Sequence, residues 1–132
     1  MLNIKERAKM AQEAKLSGKL NCAQAVLLAL KEDSNLDDNT LKNIGAGFCA
    51  GMGNMEATCG ALIGANIVLG MKTNGDATIR LSKQLIEEFK ANCGATECRE
   101  LKQMTDGKPL CPCDICVKNA VLAYGKVLGQ DK

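Results

Sequence analysis

Thr58-Cys59-Gly60-Ala61-Leu62-Ile63-Gly64-Ala65-Asn66-Ile67-Val68-Leu69-Gly70 decides how this chain folds. Thr58 reads as an N-cap, and the apolar run behind it is helical in length and composition. Gly60 and Gly64 are four apart, so they share one helix face. Residues that small let a second helix settle almost backbone to backbone. The composition agrees: 132 residues are 46% hydrophobic with two Phe, one Tyr and no Trp, so the core is built from small aliphatic side chains. That favours an all-α, compact single-domain helical bundle spanning residues 1–132.

Working outward, about five to seven helices follow from periodicity and caps. Ile4, Ala8, Ala11 and Ala14 recur at helical spacing, and Gly18 stops the helix. Asn21 caps an apolar run from Cys22 to Leu30, which ends at polar Lys31-Glu32-Asp33-Ser34-Asn35. Asp38 or Asn39 caps a short helix through Leu41 and Ile44. Gly45, Gly47, Gly51 and Gly53 then make a tight loop around Cys49, needing positive φ. It follows a helix rather than a strand and lacks Gly-Lys-Ser/Thr, so it is not a phosphate cradle.

Downstream, Asp76 opens a helix with Ile79, Leu85, Ile86 and Phe89 on one side, ending near Gly94. A short helix from Thr96 to Lys102 carries Cys98, and Thr105-Asp106-Gly107-Lys108-Pro109 is a turn. The last helix runs from about Cys113 to Leu128, with Gly129 as its stop. No segment alternates like a strand.

The chain has eight cysteines and no histidine. Imidazole-dependent nucleophile pairs, His-ligated zinc and haem, and a proton switch near neutral pH are thereby excluded. A net charge of +2 with interspersed signs gives no support for a nucleic acid or membrane partner. The charged start, Met1-Leu2-Asn3-Ile4-Lys5-Glu6-Arg7-Ala8-Lys9, is unlike a signal peptide, and no apolar run reaches membrane-spanning length. A cytoplasmic location is expected. In such a compartment, eight cysteines point to metal binding, redox chemistry or burial rather than structural disulfides.

Their placement is regular. Cys22, Cys59, Cys98 and the pair Cys113 and Cys116 all fall in the first turn of an expected helix. Free N–H groups and the helix dipole there favour thiolate by about 0.3–1 kcal/mol when exposed and up to about 2 when partly buried. The alternative is that each cysteine serves as a small core hydrophobe. Cys49 and Cys93 fall outside the pattern and read as mostly structural, with Cys111 intermediate. Cys111-Pro112-Cys113-Asp114-Ile115-Cys116 holds C-x-x-C without the second C-x-x-C of a zinc ribbon, so a four-sulfur site must recruit several helices. Arg99 and Lys102 read first as a solvated face, and second as a source of positive charge beside thiolates.

At these residues the chain resembles the redox-active proteins named for their C_GCAxxG_C_C signature. The central motif is Cys59-Gly60-Ala61-Leu62-Ile63-Gly64. Asn21-Cys22-Ala23-Gln24-Ala25-Val26 is similar to the first cysteine motif, Gly47-Phe48 through Gly51-Met52-Gly53 to the glycine loop, and Cys98-Arg99-Glu100-Leu101 to the third cysteine. Either Cys113 or Cys116 fits the fourth, since both precede Val117 and Ala120. Cys49, Cys93 and Cys111 lie outside the signature. The resemblance implies an all-helical cytoplasmic protein with four cysteines at one site. Split-Soret cytochromes carry a similar domain beside an iron–sulfur centre and haems. No haem is expected here, because the chain has neither C-x-x-C-H nor any histidine.

The leading expectation is a redox or electron-transfer protein in which Cys22, Cys59, Cys98 and Cys113 (or Cys116) converge. They act either as a thiol–disulfide pair, with a thiol–disulfide oxidoreductase-like activity, or as ligands of an iron–sulfur cluster. The alternatives are a non-enzymatic structural zinc-binding module and a small helical interaction protein with inert cysteines. The redox partner protein is not specified by the sequence. Glycine-faced helices leave a homodimer open.

Overall fold

The computed structural model describes residues 2–130. Eight α-helices build it: α1 (Ile4–Leu16), α2 (Cys22–Ala29), α3 (Lys31–Ser34), α4 (Asp38–Gly45), α5 (Gly60–Thr73), α6 (Thr78–Cys93), α7 (Cys98–Leu101) and α8 (Cys113–Val127). This exceeds the expected five to seven because the polar stretch after Leu30 closes one extra turn, α3, before Asn35 turns left-handed at φ 58°. The expected absence of strands is also corrected. A two-residue antiparallel hairpin pairs β1 (Met104–Thr105) with β2 (Lys108–Pro109). Asp106 and Gly107 both take positive φ at its tip, as tight hairpins require. No helix among the described residues is long and apolar enough to cross a membrane.

Helix α8 is the hub, packed against α1, α2, α5 and α6. Its Val117, Ala120, Val121 and Tyr124 are fully buried, on the i, i+3, i+4, i+7 face of a core helix. Helix α6 turns Leu85, Phe89 and Cys93 inward, while Ile79 and Ile86 lie outside, 86% and 42% exposed. The expected apolar side is thus corrected: the stripe runs at four-residue spacing through Leu85, Phe89 and Cys93, which leaves the two isoleucines on other faces.

The α2–α5 contact has the closeness that its glycines imply. A Cβ on Gly60 would stand 2.9 Å from the Phe48 carbonyl oxygen and 3.3 Å from the Ala23 nitrogen; one on Gly64 would stand 3.0 Å from the Ala23 oxygen. Helix α2 is fixed beneath by a capping box between Asn21 and Gln24. The same two side chains donate to the Gly45 and Lys42 carbonyls at 3.1 and 3.0 Å, tying α4 to α2. Asp37 rather than Asp38 or Asn39 caps α4, accepting from the Thr40 amide at 2.7 Å. No side chain caps α6, which starts at Thr78 after left-handed Ala77, two residues later than Asp76.

One buried polar group ties three elements. Arg7 of α1 donates to Asp33 at 3.3 Å, and the Tyr124 hydroxyl of α8 donates to the same carboxylate oxygen at 2.8 Å. Burial and this carboxylate hold the Tyr124 phenol well above its ordinary range. Asp33→Ala should cost about 3 kcal/mol or more in chemical denaturation, because it strands a buried guanidinium whose other carboxylate, Glu32, is 3.7 Å away. Gly60→Ala should destabilise by about 1–3 kcal/mol through overpacking. Gly70→Ala, in the same helix but with nothing within 4 Å of an added Cβ, should instead stabilise by up to about 1 kcal/mol.

Candidate functional site

The close approach of α2 and α5 has a chemical consequence. Cys22 opens α2 one residue before Ala23, and Cys59 caps α5 one residue before Gly60, so the backbone contact at Ala23 and Gly60 draws both thiols to one place. Thr58 does not cap α5. It forms an isolated antiparallel bridge with Glu97 instead. The Cys59 amide donates to Thr96 (2.8 Å) and the Cys98 amide to Ala57 (3.0 Å), which stitches the start of α5 to the start of α7. Helix α8 begins with Cys113 after Pro112 and completes the group.

These four cysteines line one cavity of about 120 Å³, with Cys49, Lys15 and Lys102 also on its wall. Its outer side is the glycine loop. Ala50, Gly51, Met52 and Gly53 all have positive φ, so the loop is left-handed at alanine and methionine as well as glycine, a local strain. Gly51 cannot be replaced cheaply, since an added Cβ would stand 2.8 Å from the Cys98 Cβ. The loop is therefore pressed onto the cysteine it covers.

All eight cysteines are free thiols. Cys49 and Cys93, which read from the sequence as mostly structural, both stand close to other cysteines, and Cys93 is also part of the buried core. Cys49 stands exposed at the cavity wall. Cys93, Cys111 and Cys116 form a buried triad with sulfurs within 4.8 Å of one another, a group that could hold a metal ion. The segment after α7 delivers Cys111: Leu110 donates to Gln103, and Cys111 to Leu101 at 2.9 Å. Gly94, at φ 95°, ends α6 against Leu110 and sets Cys93 alongside. The sequence signal for Cys93 was its place at i+4 from Phe89 and i+8 from Leu85, on the inward stripe of α6.

Cavity and triad are joined. Cys22 interacts with Cys113, and Cys59 with Cys116, while the Cys116 thiol donates to the Cys111 carbonyl at 3.5 Å. Contact with Cys113, together with burial, pushes the Cys22 thiol up. The Cys59 thiol is raised by its bond to Cys116 and by burial. Burial and Cys59 raise Cys98. The bond from Cys59 favours ionised Cys116, but Cys93 and burial outweigh it and Cys116 also lies above its ordinary value. Burial and Cys116 push Cys111 up to about 12.

Cys113 is the exception, drawn down to about 5 by the Cys22 hydrogen bond and, against burial, by Lys102 and Lys15. Position at a helix start is thus insufficient to lower a thiol. Burial and neighbouring sulfurs decide the direction. Lys102 turns inward, donating to the Cys111 carbonyl (2.7 Å) and the Cys116 sulfur (3.5 Å). Burial would lower its ammonium, yet Cys116, Cys113 and Cys59 hold it above the ordinary lysine value. Arg99 stays outside with Glu56 at 3.0 Å. Of the two cations beside Cys98, one belongs to the cavity and the other to the surface. Lys15 reaches the wall from α1, a placement no local motif announces.

The family described as "Putative redox-active protein (C_GCAxxG_C_C)" matches residues 20–127. Neither a curated protein nor a solved structure matches the chain.

In metal-free protein, Cys113 should alkylate with a pH midpoint near 5, measured by mass spectrometry of iodoacetamide-labelled peptides. Above that pH it is thiolate, while the raised Cys22 and Cys59 stay protonated and slow through neutral pH. Lys102→Met should move the Cys113 midpoint upward, since it removes a charge that favours the thiolate.

Proposed function

The chain belongs to the C_GCAxxG_C_C family, and from that premise we propose that it is a cytoplasmic electron-transfer protein whose cavity holds an iron–sulfur cluster on Cys22, Cys59, Cys98 and Cys113. The observation that carries this reading is the cavity itself: cysteines from four helix starts share the lining of about 120 Å³ of space. Four thiolates gathered on a single zinc ion at about 2.3 Å leave no room between them. A polynuclear occupant uses both the space and the ligands, and four cysteines are the usual ligand set for such clusters.

The surrounding residues suit an anionic occupant. Lys15 and Lys102 supply two positive charges on the wall, and α2, α5 and α8 each direct an N-terminus toward it. When bound, the cluster supplies one-electron transfer. The chain's part is to hold the four sulfurs, offset their charge and limit water. Cys59 and Cys98 are buried, whereas Cys22 and Cys113 are half-exposed, so a redox partner protein would approach on the side of Cys113 and the exposed Cys49.

A second reading rests on Cys22 and Cys113 sharing one cavity wall and interacting there. In that mode the Cys113 thiolate attacks a partner disulfide and expels one partner thiolate. Cys22 loses its proton and attacks the Cys113 sulfur, releasing the second partner thiolate. The partner disulfide is reduced, and a Cys22–Cys113 disulfide is left behind.

Iron and labile-sulfide determination on anaerobically purified protein separates the readings. Brown protein with iron and sulfide in comparable amounts, bleached by dithionite and lost in Cys22→Ser and Cys98→Ser, is the expected result. Colourless protein that forms a Cys22–Cys113 disulfide on mild oxidation would move the assignment to thiol exchange. One zinc per chain without sulfide would refute both.

A further inference from the structure

The buried triad lies beyond the cluster reading. Cys93, Cys111 and Cys116 are 4%, 3% and 0% exposed, and they come from the end of α6, the segment after β2, and the first turns of α8. No carboxylate or imidazole joins the group among the described residues. An all-sulfur, water-excluded donor set rejects magnesium and calcium, which take oxygen, and selects thiophilic ions. Three sulfurs sharing one ion at about 2.3 Å stand about 4 Å apart. From within 4.8 Å, the triad needs to contract by less than about 1 Å.

The ligand count chooses among thiophilic ions. Zinc in a closed site takes four ligands. A fourth sulfur beside the triad is Cys59, which interacts with Cys116, and on the cluster reading Cys59 is already engaged in the cavity. Three thiolates without a fourth suit a d10 monovalent ion, which is stable in trigonal sulfur coordination. Second contacts also fit. Asn119 donates its amide to the Cys93 sulfur at 3.3 Å, and the Lys102 ammonium stands 3.5 Å from the Cys116 sulfur. Those donors offset the net charge of −2 that three thiolates and one monovalent cation carry.

We infer that Cys93, Cys111 and Cys116 form a second, interior metal site that binds one soft monovalent cation of the copper(I) class as a three-thiolate complex. Its three-ligand form rests on the cavity reading; its location does not. Binding exchanges the three thiol protons for the ion, with no change in oxidation state.

The test is anaerobic titration of the full-length protein, purified anaerobically with its cavity occupant retained and free of copper, with copper(I) against a chromophoric copper(I) chelator, with X-ray absorption at the copper edge. One copper per chain should be withheld, with three sulfurs at about 2.3 Å. The Cys22→Ser/Cys113→Ser double variant should withhold it equally, which keeps this site testable if the cavity holds no cluster. Cys93→Ser and Cys111→Ser should each weaken retention by more than the roughly 10- to 100-fold that disturbing a supporting group costs, with helical circular dichroism checking that each folds. Cys59→Ser should retain the ion. Overturning results are surrender of all copper to the chelator, a copper lost in Cys22→Ser/Cys113→Ser but kept in Cys93→Ser, or a four-sulfur absorption spectrum that reverts in Cys59→Ser. The absorption measurement on unaltered protein stands even if a variant fails to fold.

Discussion

The contact of α5 with α2 across Gly60, Gly64 and Ala23 is the constraint on which the rest depends. It is a steric fact: a Cβ at Gly64 would stand 3.0 Å from the Ala23 oxygen, and one at Gly60 3.3 Å from the Ala23 nitrogen. Because Cys22 and Cys59 adjoin the contact residues, packing and chemistry share the same few atoms. A bundle whose helices met through leucines would hold these helices about 8–10 Å apart and the two thiols correspondingly farther. The glycines therefore act as site-forming residues without touching any ligand.

From this contact the sulfur system extends in two directions. Outward lie Cys113, Cys98 and Cys49, at the cavity under the left-handed loop. Inward, Cys116 leads to Cys111 and Cys93, deep in the bundle. Lys102 stands at the junction, bonded on the inner side yet lining the cavity. One ammonium thus serves both groups of thiols, and its half-buried position makes it a stronger electrostatic partner than a solvated lysine.

Most of the bundle was legible because its causes are local. Asn21 capping α2, Gly18 and Gly129 closing α1 and α8 at positive φ, and the small-residue face of α5 are all effects of single residues on their neighbours. Four cysteines at helix starts could be read the same way. What escaped was set by distant partners. Thr58 pairs with Glu97 rather than capping, because an extended bridge there satisfies the amides of Cys59 and Cys98 together. Cys93 looked peripheral until the hairpin brought Cys111 back to it. The direction of each thiol's acidity depended on which sulfurs it met, and Cys113 alone meets a donor thiol with two cations nearby. Membership of the family could be read from the motifs at Cys22, Cys59 and Cys98, since those segments are continuous in the chain.

The buried Tyr124 has a use unrelated to stability. It is the sole tyrosine, and the chain has no tryptophan, so all long-wavelength ultraviolet emission comes from one ring. That ring and Cys113 lie on the same helix, eleven residues and about 16 Å apart along the axis, well within the range of resonance energy transfer to a visible-absorbing chromophore. Occupancy of the cavity by any coloured group would register as quenching, and opening of the Asp33 hydrogen bond as a change in the emission itself. The fold thereby carries its own optical reporter, fixed to the helix that carries Cys113 and Cys116.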